Sequence, residues 1–173
     1  MKKSGFTLIE LLVVIAIIGL LASIVMVNVN NARKKARAAK RASELHQIMV
    51  ALELYYDDYG YYPNPGWAWR SECNCWGGYS ASNVIPGLVP TYMGVFPTDP
   101  SMDKSGCRSC YLYLSNGTDY KVLDHNIAEF SAADYLAQRS LVDPARDGGP
   151  DGCAADGSNP WSWAIYSSGG KCW

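Results

Sequence analysis

The chain has 173 residues and a formal net charge of −1. That near-neutral sum hides a basic N-terminal stretch and an acidic remainder, and the residues beyond 60 suffice for one modest domain. There are no internal repeats. His46 and His125 stand far apart with no nucleophile arranged around them, so no enzyme is expected.

The first thirty residues carry the strongest pattern. A short basic leader, M-K-K-S-G, precedes F-T-L-I-E-L-L-V-V-I-A-I-I-G-L-L-A-S-I-V-M-V-N-V-N. Residues 11–27 hold no charge, yet a carboxylate, Glu10, stands just inside the apolar run. An ionised carboxylate in hydrocarbon costs on the order of 3 kcal/mol or more, so its presence points to a pairing role. Residues 6–29 are long enough for one bilayer crossing, which takes roughly 20 residues. A secretory signal peptide has a shorter apolar core followed by a small-x-small cleavage site. Here Ala22 and Ser23 lie inside the run instead. Lys2 and Lys3 stay cytoplasmic under the positive-inside rule.

K-K-S-G followed by F-T-L-I-E resembles the amino-terminal signal of type IV prepilins and pseudopilins. The match comprises the Gly5–Phe6 junction, Thr7, Glu10 four residues beyond Phe6, the apolar run and Gly19. The resemblance implies that a prepilin peptidase cuts between Gly5 and Phe6 and methylates the new amino terminus on Phe6. A helix-breaking proline frequent in the family is absent, with Val27 or a neighbour in its place. Chemistry supplies a reason for each matched residue. Gly5 lacks a Cβ, so backbone can approach a peptidase closely. Glu10 lies one turn beyond Phe6 and can reach an amine at the helix start, its own or a neighbour's. The positive end of the helix favours that carboxylate further, and a paired buried charge is tolerable where a lone one is not. Pairing across subunits would set the register of a helical bundle.

Beyond the apolar run, good helix formers continue without proline as far as Tyr59. Leu45, Ile48, Met49, Leu52, Tyr55, Tyr56 and Tyr59 recur at spacings of three and four, an amphipathic stripe seeking a partner surface. Gly60 is the expected stop. Uninterrupted, a helix from 6 to 59 is roughly 80 Å long, with Asn28, Asn30 and Asn31 as its weak place. Arg33, Lys34, Lys35, Arg37, Lys40 and Arg41 form a basic collar. It is placed to touch anionic headgroups before assembly and acidic neighbours in a fibre. One basic stripe without interleaved aromatics is not a nucleic-acid site. After Arg41 there are seven basic and fifteen acidic residues, so the head is acidic.

In the head, residues 61–90 read as a long Gly-, Pro- and Trp-rich loop. C-Y-L-Y-L-S at 110–115 alternates and predicts a strand. Asn116-Gly117 signals a hairpin, and D-Y-K-V-L-D at 119–124 is the return strand. Residues 127–141 hold a short helix, with Ser131 and Asp134 as a capping pair. W-A-I-Y-S at 163–167 is the third strand. The expected fold is α+β and type IV pilin-like: a long N-terminal helix packed on a small antiparallel sheet with long loops. Its parts are a leader (1–5), a transmembrane and fibre-core half-helix (6–29) and a head (30–173), made of an amphipathic half-helix (30–59) and a sheet-and-loop region (60–173). V-F-P-T-D-P, Y-L-Y-L, D-Y-K-V-L and W-A-I-Y-S-S-G-G also resemble the head of the major pseudopilin of type II secretion. Ser101 and Met102 depart from that family's continuation after Pro100.

All six cysteines, Cys73, Cys75, Cys107, Cys110, Cys153 and Cys172, lie in the head. A translocated head meets an oxidising compartment, so three disulfides are expected. The pairing expected is Cys153 with Cys172, and Cys73 and Cys75 with Cys107 and Cys110. The alternative is a zinc site, since C-x-C plus C-x-x-C supplies four thiolates. Asp143, Asp147, Asp151, Asp156 and Asn159 crowd a Gly-rich loop and are candidate calcium ligands. Related major pseudopilins hold calcium in this part of the head. The same residues also simply make turns. Six tryptophans are numerous for such a head, and their expected role is to cover a small core.

The resemblance implies a structural subunit, stored in the cytoplasmic membrane with its head outside and then polymerised into a surface or periplasmic fibre. Its partners are other pilin subunits, prepilin peptidase, membrane lipid before assembly and, indirectly, an assembly platform protein and ATPase. Nucleic acid is not indicated, and no cofactor is required. The alternative is a membrane-anchored surface adhesin whose Trp-rich loops bind glycans.

Overall fold

A run of 52 residues without proline forms α1 (Leu8–Tyr59). The computed structural model describes residues 7–149, 153 and 159–173. Strands β1 (Arg70–Ser71), β2 (Cys110–Ser115) and β3 (Tyr120–His125) follow, then α2 (Ala132–Leu136) and β4 (Ser162–Tyr166), with short 3-10 turns between. The chain divides into two units, Met1–Ala39 and Lys40–Trp173.

In the first unit the large apolar side chains from Leu8 to Met26 are exposed. A window long and apolar enough to cross a membrane has none of its residues buried. A helix greasy on every side finds its partners in lipid or in other helices. Asn28, Asn30 and Asn31 are helical, so α1 is unbroken where the asparagines weaken it.

In the second unit, residues 40–59 of α1 put the stripe Leu45, Ile48, Ala51 and Leu52 into the core. Burying a Leu or Ile side chain contributes about 1.5–3 kcal/mol, which outweighs the modest propensity of the tyrosine-rich last turns. Gly60, at φ 74°, ends the helix in the left-handed conformation, and its N–H donates to Tyr56 O at 2.7 Å. The four strands pair antiparallel in sequence order. Tyr113 stands opposite Val122 and Val122 opposite Ile165 on one face; Leu112, Leu123 and Ala164 align on the other. The β2–β3 turn is the expected Asn-Gly: Gly117 has φ 94°, and Asn116 Oδ1 accepts from the N–H groups of Thr118 and Asp119. This is a pilin-like α+β fold, a long N-terminal helix packed on a small antiparallel sheet with loops.

Two features differ from the sequence reading. An alternating strand predicts one wet face, but all six residues of β2 are buried. The face turned toward α1 is marked by Tyr111 OH donating to Glu44 and Tyr120 OH donating to Glu53. The opposite face carries Cys110, Leu112, Leu123, Ala164 and Tyr166, and Cys73, Trp69, Trp76 and Met102 roof it. The segment read as a structureless loop therefore acts as a third layer. It also contributes β1, whose two residues pair with Leu112 and Tyr113. Two residues are too few to show a period.

Candidate functional site

The described chain begins at Thr7, directly beside the expected processing point. Gly5 and Phe6 lie outside the described residues. Thr7 is the residue before α1, and Glu10 is the third helical residue. Thr7 N–H and Oγ1 donate to Glu10 Oε2 at 2.8 and 2.7 Å, and Glu10 N–H donates back to Thr7 Oγ1 at 3.3 Å. This is a reciprocal capping box, which satisfies two of the free amides at a helix start. Glu10 thus has partners within its own chain before any neighbour arrives. The T-x-x-E spacing announces the motif, which the sequence reading missed because the same carboxylate also lies one turn from the amine of Phe6.

The second assembly of charges lies where residues 40–59 of α1 meet the head. Arg41, read as the last residue of the basic collar, is fully buried. Its Nε lies 2.5 Å from Asp99 Oδ2, its Nη2 3.1 Å from Asp99 Oδ1 and 2.8 Å from Ser101 Oγ, and its Nη1 2.6 Å from Glu129 Oε1. The planar guanidinium gathers two loops in one fork, which a lysine cannot do. Burial by itself pulls the Arg41 pKa down, but the Asp99, Glu129 and Asp124 carboxylates outweigh it and raise it. Arg41 departs from the collar because 3.6-residue periodicity puts it one turn before Leu45, on the buried stripe, whereas Arg33, Lys35 and Lys40 are exposed.

Asp124 on β3 completes this cluster. It is wholly buried, 3.5 Å from Arg41 Nε, and neither carboxylate oxygen has a hydrogen-bond partner among the described residues. Burial first and the charge of Asp99 second push its pKa well above the carboxylate range, and Arg41 only partly opposes them. An acid whose pKa rises on folding gives stability at low pH that is lost as pH climbs past its unfolded pKa, near 3.9. Asp124→Asn removes that loss. The melting temperature of the variant is therefore expected to gain on that of the wild type between pH 4 and pH 7. A constant difference across this range in a thermal melt would refute the assignment.

The disulfides join Cys73 to Cys110, Cys75 to Cys107 and Cys153 to Cys172. All six thiols are used, so the four-thiolate zinc alternative does not form. Of the candidate calcium ligands, Asp143 is turned inward. Its Oδ1 meets Lys121 Nζ at 2.5 Å and its Oδ2 meets Arg146 Nη1 at 2.7 Å. Asp147 Oδ1 accepts from Gly149 N–H, and Asn159 is exposed. Asp151 and Asp156 lie outside the described residues. Among the described residues no group of three or more His, Cys, Asp or Glu is placed to hold a metal ion. Lys121 and Arg146 also donate to Trp173 O at 2.9 Å each, clamping the tail.

The tryptophans cover the core. Trp163 is fully buried and donates to Tyr135 O, while Trp69 and Trp76 roof the outer sheet face. Trp67 alone of the six is more than half exposed.

Residues 1–26 match the model of the prokaryotic N-terminal methylation motif. The chain is 44% identical over 62 residues to type II secretion system core protein G of Escherichia coli K12, a match spanning 36% of this chain and 43% of that protein. The same-named protein of Aeromonas hydrophila is 42% identical over 62 residues, 36% of this chain and 43% of its own. That of Pseudomonas aeruginosa is 36% identical over 63 residues, 36% and 44% of the two chains. The chain thus spans less than half the length of these curated relatives. No solved structure matches it. By its processing motif and by these relatives, the chain resembles the type II secretion pseudopilins, and among the described residues one helix, at the N-terminus, is long and apolar enough to cross a membrane.

Proposed function

We propose that this chain is a structural subunit of a type II secretion pseudopilus, held in the cytoplasmic membrane and polymerised after its leader, residues 1–5, is removed. The observation that carries the reading is the methylation motif over residues 1–26. It heads a helix whose spanning window is wholly unburied, and a head with its own disulfide-stapled core follows. Such a helix is stable in lipid and equally stable among copies of itself. Moving from one to the other requires that Glu10 never be left as a lone charge in an apolar setting. The Thr7–Glu10 box meets that need in the single chain, and the amine of Phe6 meets it in the fibre. Prepilin peptidase, an assembly platform protein and its ATPase are the partners this route requires.

Mass spectrometry of the protein from membranes tests the processing step. The expected species begins at Phe6 and carries one N-methyl group; a functional protein retaining Met1 would sink the proposal. Glu10→Ala tests the register role. It is expected to leave cleavage and membrane insertion intact while fibre incorporation falls about tenfold or more, the loss expected when a buried charge pair is broken. Normal incorporation of the variant would refute that role.

A further inference from the structure

The outward face of residues 40–59 of α1 is uncovered among the described residues. His46, Val50, Leu54, Asp57 and Asp58 recur on it at helical spacing and are all exposed. Val50 and Leu54 show about half of their surface. Beside them a groove of about 320 Å³ runs between the helix and the loop at Tyr92, Met93 and Gly94, floored by Val50 and Ala51. Towards the C-terminal end of that face Tyr92 OH donates to Asp58 at 2.6 Å, and Asp57 forms no hydrogen bond or ion pair among the described residues. Apolar surface rimmed by charge is the composition of a docking face, not of a solvated one.

The same chain carries the complementary charge. Arg33 and Lys35 are exposed and have no ion-pair partner among the described residues. At about 100° per residue, the collar positions step around the helix, so a neighbouring helix meets a cation from more than one side. We infer that this face is the seat of a second copy of the chain, with the Arg33 and Lys35 collar of one copy against Asp57 and Asp58 of another and apolar helix surface in the groove. The inference rests on the polymer reading above and names the contact that reading leaves open. It also explains why the outward face keeps Val50 and Leu54 where a solvated helix would carry polar residues.

Charge exchange in the full-length chain, expressed with its own assembly machinery, tests the contact. Arg33→Glu with Lys35→Glu, and separately Asp57→Lys, are each expected to lower fibre yield about tenfold or more, because like charges are then juxtaposed. The three substitutions combined in one chain are expected to restore most of the yield. Asp58 is left alone because Tyr92 uses it. A zero-length carbodiimide cross-link between Lys35 and Asp57 in fibres mixed from light and isotopically heavy chains is the second readout, and light–heavy peptide pairs are expected. Full yield from either charge variant, no recovery in the combined variant, or only same-isotope pairs would overturn the interface. A processed wild-type chain that forms no fibre overturns the polymer reading, and the interface with it. Fibres that ignore these charges overturn the interface alone.

Discussion

Replacing Arg41 with alanine is expected to destabilise the head by about 3–5 kcal/mol, the cost of breaking a buried charge cluster from one side. The side chain is fully buried and holds Asp99, Glu129 and Ser101 from two loops onto α1. Without it, Asp99 and Glu129 lose their counter-ion, and Asp124 loses the one cation that lowers its pKa. Arg41→Lys is expected to recover only part of the loss, since an ammonium is a single point and cannot bridge three acceptors lying in different directions. Urea denaturation of the intact-disulfide head is the measurement. A loss below about 1 kcal/mol, the range of an exposed ion pair, would falsify the hub. This cluster also places the helix register against the sheet, because Tyr111 OH of β2 donates to Glu44 one turn further along α1.

The two neighbouring disulfides are expected to be redundant. Cys73–Cys110 closes a separation of 37 residues, and Cys75–Cys107 one of 32 nested inside it. Either loop alone restricts the unfolded chain by about 4 kcal/mol on the chain-entropy account. Once one is closed, the other adds only the short arms between them. Replacing Cys75 and Cys107 with alanine is therefore expected to cost about 1 kcal/mol, within the coupling range of neighbouring sites. Replacing Cys73 and Cys110 costs somewhat more, because these two are fully buried beside Leu112, Leu123 and Ala164 and lose packing as well. Removing all four is expected to cost about 4 kcal/mol or more, well above the sum of the two parts. Equal, additive losses in denaturant titrations would show that the bridges act through the folded state alone.

The long helix, three of the four strands, the Asn-Gly hairpin and the Ser131–Asp134 capping box were legible in the sequence. Each rests on a local rule: period, turn chemistry, or a side chain reaching its own backbone. Local rules of the same kind would also have revealed the Thr7–Glu10 box. What escaped them depends on partners far away in the chain. β1 exists only because β2 lies beside it. The burial of both sheet faces depends on a loop drawn over the sheet by Cys73–Cys110. Asp143 looks like a loop ligand until Lys121, 22 positions earlier by its number, is seen to claim it.

The sequence alone determined that this protein carries a processing motif and one run long and apolar enough to span a membrane, and it predicted an oxidised head. Those properties follow from residues close together along the chain, and a peptidase or a bilayer reads them in that form. Only the tertiary structure decided which charges are free and which are spent. Arg41, Lys121, Asp124 and Asp143 are ordinary charged residues in the sequence and fully buried in the fold. A charge taken out of water must be matched by whatever long-range neighbour the fold supplies, or else be neutralised, which for a carboxylate means holding a proton, as the raised pKa of Asp124 shows.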